Sequence, residues 1–166
     1  AHAENGRAGF DQRLIFRFNH WEGAVDTLES IAETVPEHHS RLILPRYPGI
    51  YLHMPLRLVF NRNTYLLNST WNADVLVSTI HTWLAAGDRV FFMNPSELSP
   101  DMIRDLQQRY RLNLHRATND APLFPMLRNT IESKPVHRSA HRFEYWIYEV
   151  TDPDDATGGR KTTPAI

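Results

Sequence analysis

NADVLVSTIHTWLAAGDRVFFM, residues 72–93, is the stretch on which the fold turns. Asn72 can cap a helix, because its side-chain oxygen reaches back to a free N–H of the first turn. Leu76, Ile80, Trp83 and Leu84 then recur at helical spacing and make one apolar face over Ala73–Ala86. Gly87 follows directly, where a left-handed residue ends a helix most easily. Arg89–Met93 (RVFFM) is a short β-branched and aromatic run, which predicts a buried strand. A helix that feeds a strand after two residues is the second half of a β-α-β crossover.

The same unit recurs on both sides. Upstream, Thr64–Asn68 (TYLLN) reads as a strand and Asn61-Arg62-Asn63 as a break before it. Ile50 to Phe60 reads as a helix, in which Pro55 must occupy the first turn or produce a kink. Tyr47-Pro48-Gly49 is a turn, and Arg41–Leu44 (RLIL) is a strand ended by Pro45. Before it, Trp21, Ala24, Val25, Leu28, Ile31, Ala32 and Val35 form a helical stripe that Pro36 stops. Asn19 with Glu22 resembles a capping box, and Arg13–Phe18 (RLIFRF) is a further short strand after a loose lead-in. Downstream, Ser99-Pro100-Asp101 starts a helix lined by Met102, Ile103, Leu106 and Tyr110. Arg111–Arg116 (RLNLHR) alternates as a strand, residues 117–140 read as irregular, and His141–Val150 gives the longest strand signal. Phe143, Tyr145, Ile147 and Glu149 would share one of its faces.

Alternating strands and helices predict an α/β fold. The expected architecture is a three-layer α/β/α Rossmann-like domain over residues 1–150. Its sheet would be mostly parallel, with the last strand added antiparallel at an edge. Residues 151–166, rich in Asp, Gly and Thr, are expected to be a flexible C-terminal tail.

Composition narrows the function classes. A chain of 166 residues is long enough for a core without disulfides or metal. The net charge of -1 and pI of about 6.8 give no global attraction to nucleic acid or anionic lipid. Of the 18 basic residues only Lys134 and Lys161 are lysines, leaving 16 arginines. Arginine suits bidentate binding of phosphate or carboxylate, although GC-rich codon usage gives the same bias. With no cysteine, thiolate metal sites and cysteine nucleophiles are excluded. No apolar run approaches the roughly 18 residues of a membrane span, so the chain itself is expected to be soluble.

The sequence holds no G-x-G-x-x-G, no Gly-Lys-Ser/Thr and no G-x-S-x-G, so three common ways of using such a sheet for catalysis or nucleotide binding are missing. Ser69 lies between Asn68 and Thr70 and lacks the glycines of a nucleophile elbow. His38 and His39 are adjacent and would point apart. His137 and His141 are four apart, but without a convincing helix or an accompanying glutamate they define no metal site. Glu22 and Asp26 fall on a solvated helix face, and Asp152-Pro153-Asp154-Asp155 lacks the ligand spacing of a calcium loop. Asn68-Ser69-Thr70 matches a glycosylation sequon. No catalytic residue, metal ligand or cofactor is therefore assigned. What remains is positional: in parallel sheets ligands bind beyond the carboxyl ends of the strands. Those ends carry Asn19-His20-Trp21, Arg46, Tyr47, Asn68, Trp71 and Asn94, a set of planar polar groups and aromatics suited to a sugar or a phosphate. Of these, Arg46, Tyr47, Asn68, Trp71 and Asn94 are the candidate ligand-binding residues.

Residues from Trp21 to Asn94 also carry a family likeness. WEGAVDTLESIAETVP leads to SRLILPR, then Pro55-Leu56-Arg57-Leu58-Val59-Phe60 leads to NTYLLN, and Ala85-Ala86-Gly87-Asp88-Arg89-Val90-Phe91-Phe92 closes the next helix and opens the next strand. This pattern resembles the C-terminal domains of large bacterial membrane proteins that look like polytopic glycosyltransferases using lipid-linked sugars. The resemblance implies a non-catalytic accessory domain on the extracytoplasmic face of a bacterial membrane. Its implied partners are a lipid-linked sugar, a glycan or the parent membrane domain, with no nucleic acid. The family's catalytic acids lie in loops between membrane helices, so none maps onto this chain. The alternative expectation is a standalone Rossmann-like ligand-binding protein or enzyme, cytoplasmic, with a divergent site at the strand ends. A third is an interaction module using the aromatics of residues 143–150.

Overall fold

Leu42 and Leu44 face one side of a sheet and Ile43 the other, and that alternation organises the whole molecule. The computed structural model describes residues 22–123 and 141–154. The expected strand Arg13–Phe18, the Asn19 cap, Trp21, His137 and the tail from residue 155 lie outside the described residues.

The elements are α1 (Glu22–Thr34), β1 (Ser40–Leu44), α2 (Arg46–Leu58), β2 (Thr64–Leu66), α3 (Ala73–Ala85), β3 (Arg89–Met93), a 3-10 turn (Pro95–Glu97), α4 (Pro100–Arg109), β4 (Arg111–Leu123) and β5 (His141–Thr151). The five strands form one mixed sheet in the order β2-β1-β3-β5-β4. β1 pairs in parallel with β2 and with β3, while β5 runs antiparallel to both β3 and β4. The fold is therefore α/β with a parallel core and antiparallel additions.

Two apolar clusters fill the two faces. Leu42, Leu44, Phe91, Met93, Phe143, Tyr145 and Ile147 meet Leu28 and Ile31 of α1, Val35 just past its end, and Leu52 and Leu56 of α2. Ile43, Val90, Phe92 and Val150 meet Leu76, Val77 and Ile80 of α3 and Leu106 of α4. The connection β1-α2-β2 steps one way along the sheet with its helix in the first cluster. The connections β2-α3-β3 and β3-α4-β4 step the other way with their helices in the second cluster. Reversing direction and face together keeps all three crossovers of one hand, as strand twist favours.

Three expectations change. The antiparallel strand is not at the edge: β5 lies between β3 and β4, and β4 is the edge strand. Both faces of β5 carry apolar side chains, Tyr145 and Ile147 on one and Val150 on the other, and a place inside the sheet covers both most fully. Residues 117–123, expected to be irregular, extend β4 to Leu123 across register shifts at Leu114/Arg116 and Thr118/Ala121. Pro122 is tolerated because an edge strand has one side whose N–H groups need no sheet partner. The helix expected over Ile50 to Phe60 begins at Arg46, with Tyr47 in an extended conformation and a cis Tyr47–Pro48 bond inside it.

Particular side chains lock these elements. Asn72 accepts from the Val75 N–H at 2.9 Å and caps α3 as its sequence suggests. Gly87, at φ +83, ends that helix. Arg41 donates to Asp88 at 2.8 Å and to the Tyr65 hydroxyl, and its guanidinium lies 5.5 Å from the Trp83 ring centre, so the loop after α3 is clipped to β1 and β2. Gly49 lets α2 close on the sheet: a Cβ there would lie 2.8 Å from Leu66 Cδ1 and 2.9 Å from Leu44 Cβ.

Glu149 ties the antiparallel half to the parallel half. Arg89 Nε and Nη2 donate to its two oxygens at 2.7 and 2.9 Å, and His115 Nε2 of β4 stands 2.7 Å from the second oxygen. The Arg89 guanidinium, above all, holds the Glu149 carboxyl below its ordinary value, with His115 adding to the effect against the opposing pull of burial. A depressed carboxyl stabilises the fold fully above its unfolded value of about 4.5 and stops doing so as pH falls through the lower folded value. Glu149→Gln is expected to cost about 1–2 kcal/mol near neutral pH. Urea midpoints of the variant and the wild type should converge as pH falls below about 4.5; a gap that stays constant through that range would disprove the linkage.

Candidate functional site

A cleft of about 500 Å³ opens at the carboxyl ends of β1, β2 and β3. Its lining comes from three connections: Pro45, Arg46, Tyr47 and Ile50 after β1, Leu67, Asn68, Ser69 and Trp71 after β2, and Glu97, Leu98, Ser99 and Met102 after β3. The cause is topological. The chain leaves β1 towards the face of α2 and leaves its neighbour β3 towards the face of α4, so the two connections part and leave a crevice.

Each wall has a local reason for its shape. Pro45 terminates β1, and the extended Tyr47 turns the chain before α2 begins in earnest. Tyr47 is 41% exposed and meets Tyr51 edge-on, with ring centres 6.1 Å apart. Burial of part of the ring pushes the Tyr47 phenol up, and the neighbouring Tyr51 adds to this. On the second wall, Asn68 Oδ1 accepts from the Thr70 N–H at 2.9 Å and from its hydroxyl at 2.5 Å. The Trp71 N–H bonds to the Asn68 carbonyl at 3.2 Å, which closes a tight turn and fixes where the indole starts. With Oδ1 engaged, Asn68 offers a ligand its NH₂ group as a donor. On the third wall, Ser99 caps α4 by accepting from the Met102 N–H at 3.4 Å.

Four of the five candidate residues thus meet in one place: Arg46, Tyr47, Asn68 and Trp71. Asn94 is not among the lining residues. It is 4% exposed and left-handed at φ 48, and its carboxamide bonds to β5, accepting from the Trp146 N–H at 2.7 Å and donating to the Glu144 carbonyl at 3.1 Å. His20 and Trp21 lie outside the described residues. Sequence reasoning passed over Glu97, Leu98, Ser99 and Met102. The Ser99-Pro100 helix start was visible, but its place beside Arg46 and Trp71 depends on β3 being next to β1.

The lining pairs one exposed cation, Arg46, with one exposed carboxylate, Glu97, between aromatic and aliphatic walls. Arginine can grip phosphate in a bidentate manner, a carboxylate accepts from vicinal hydroxyls, and Tyr47 and Trp71 offer apolar ring faces with a polar edge. The volume falls within the range of small-molecule sites, roughly 300–1,000 Å³. Among the described residues no three His, Asp or Glu side chains group as a metal site, and no helix is long and apolar enough to cross a membrane. Comparison with protein-family models, with curated proteins and with solved structures found no match to this chain.

Proposed function

We propose that this chain is a non-catalytic accessory domain that binds a phosphorylated sugar in the strand-end cleft. The observation that carries the reading is the convergence of Arg46, Tyr47, Asn68 and Trp71 on one cleft of about 500 Å³. Arg46 takes the phosphate, Trp71 and Tyr47 hold the sugar ring, and Glu97 and Asn68 address its hydroxyls. Glu97 is the one carboxylate among the lining residues and stands without a second acid or a histidine there, which favours binding over acid-base chemistry. The two clusters covering opposite sheet faces support reading the domain as a three-layer, Rossmann-like one, in which this edge is the habitual ligand edge.

The likeness of residues 21–94 to domains of membrane glycosyltransferase-like proteins supplies the setting. In it the domain stands on the extracytoplasmic side of a bacterial membrane, and its ligand is the head of a lipid-linked sugar or a glycan intermediate. A parent reading frame with many hydrophobic spans before this segment is expected, and a frame no longer than this chain overturns that setting.

The cleft itself is tested by calorimetric titration with a hexose phosphate, the free hexose and inorganic phosphate. The hexose phosphate should bind most tightly. Arg46→Ala and Trp71→Ala should each weaken it about tenfold, the loss expected for one charge-assisted hydrogen bond or one stacking face. Equal affinities for all three probes, or variants that bind like the wild type, overturn the assignment.

A further inference from the structure

We propose that the outward face of α2 is a bilayer-contacting surface that recognises anionic lipid. This goes beyond the ligand reading of the cleft: Arg46 and Ile50 stand on the rim that the two surfaces share, while Met54, Arg57 and Leu58 line no part of the cleft. The starting point is that α2 is apolar on two sides. Pro48, Gly49, Leu52 and Leu56 are buried against the sheet, as a core helix requires. On the opposite side Ile50, Met54 and Leu58 follow one another at four-residue spacing, 57%, 53% and 75% exposed. A helix covering a sheet normally turns polar residues outward at those positions, and contiguous exposed apolar side chains mark a surface that meets something.

Charge says what it meets. The helix, RYPGIYLHMPLRL, contains two arginines and no acidic residue. At the helical step of about 100° per residue, Arg57 falls on the flank of the stripe next to Ile50, and Arg46 stands at its N-terminal end; both are exposed. An apolar stripe bordered by arginines is the pattern of a helix lying in a membrane interface, with the apolar side chains among the acyl chains and the cations at the headgroups. This local patch coexists with a net charge of only -1 because the acids stand on other elements, Glu29 and Glu33 in α1 and Glu97 in the cleft lining beyond Arg46. A second copy of the chain fits the face less well. A twofold contact would bring four arginines, Arg46 and Arg57 of each copy, into one interface to which α2 contributes no acid. A stripe of three side chains over about 12 Å of helix is also short of the roughly 800 Å² per partner of a stable interface.

The contact is expected to be weak and reversible, with each arginine contributing roughly fivefold on an anionic surface. The test is co-sedimentation of the chain with vesicles of phosphatidylcholine alone and of equal parts phosphatidylcholine and phosphatidylglycerol. Binding should be several-fold greater to the anionic vesicles and fall with added salt. Met54→Glu with Leu58→Glu should abolish it while the thermal transition and hexose phosphate binding persist, because neither residue lines the cleft. Arg57→Glu should remove the preference for anionic vesicles. Equal, absent or salt-insensitive sedimentation overturns the proposal. So does a double variant that binds like the wild type, and so does a concentration-dependent dimer that Met54→Glu dissolves, which would give the face to a second copy.

Discussion

Asn94→Ala is expected to lower stability by about 3 kcal/mol and to leave the affinity of the cleft unchanged. The reason is a division of labour within one residue. Its N–H donates to the Trp146 carbonyl at 2.9 Å and extends the β3–β5 ladder by one step. Its left-handed backbone then turns the carbonyl out of the sheet, where it accepts from the Glu97 N–H at 3.0 Å and starts the 3-10 turn. The side chain takes the carbonyl's place in the ladder, accepting from the Trp146 N–H and donating to the Glu144 carbonyl. Alanine strands two sheet groups and must also hold a positive φ, which costs an L-residue about 1 kcal/mol. Asn94→Gly removes the backbone term alone and should be the milder variant. Asn94→Asp keeps an acceptor for Trp146 but cannot donate to Glu144. Chemical denaturation of the glycine and alanine variants should rank them glycine, then alanine, below wild type. If glycine is no better than alanine, the positive φ is not part of the penalty; if alanine weakens hexose phosphate binding, Asn94 belongs to the site after all.

The contrast between Asn94 and Asn68 shows what can be read before coordinates exist. Both end a strand, and both have a planar amide of the kind that binds ligands. Position along the chain placed them at the same sheet edge, and periodicity was enough for that, because Leu42, Leu44, Phe91 and Met93 had to share a face. Which way each amide turns depends on the strand next to it, and the β5 residues that Asn94 bonds, Glu144 and Trp146, lie 50 and 52 residues downstream. A hint was present: residues 143–150 carry apolar side chains on both faces, which a place inside the sheet covers most fully. It points to an interior place for β5, while the neighbours β3 and β4, which leave Asn94 facing it, come from the strand order alone. The third wall of the cleft, Glu97 to Met102, was hidden for the same reason. Its residues announce a helix start, and only the order β1-β3 brings them beside Arg46. The helices were more legible, since Leu28, Ile31 and Val35, or Leu76 and Ile80, declare their buried faces locally. The outward stripe of α2 was equally visible as spacing, but without knowledge of which side meets the sheet, Ile50, Met54 and Leu58 could not be separated from core.

Arg62→Ala should be at least as damaging, about 3–4 kcal/mol, corresponding to a fall in Tm of roughly 6–15 °C for a domain of this size. In the sequence Arg62 looks like part of a polar break between Asn61 and Asn63. In the structure its guanidinium is the C-terminal cap of α1. Nε donates to the Val35 carbonyl at 2.6 Å and to the Ala32 carbonyl at 3.2 Å, Nη2 donates to the Ala32 carbonyl at 2.9 Å, and Nη1 donates to the Phe60 carbonyl. The last carbonyls of a helix have no partner within it, and a cation beside them also meets the negative end of the helix dipole. One side chain therefore satisfies the end of α1 and holds the turn between α2 and β2 against it, with Glu37 3.9 Å away on its outer side. The guanidinium serves Val35, Ala32 and Phe60 from three separate nitrogens, whereas an ammonium must donate from a single one, so Arg62→Lys should recover less than half of the loss. Because α1 covers the sheet face that includes β4 and β5, its loosening should be visible as faster amide exchange in residues 22–34 before global unfolding. A lysine variant as stable as the wild type would mean that charge alone, and not the fork, does the capping.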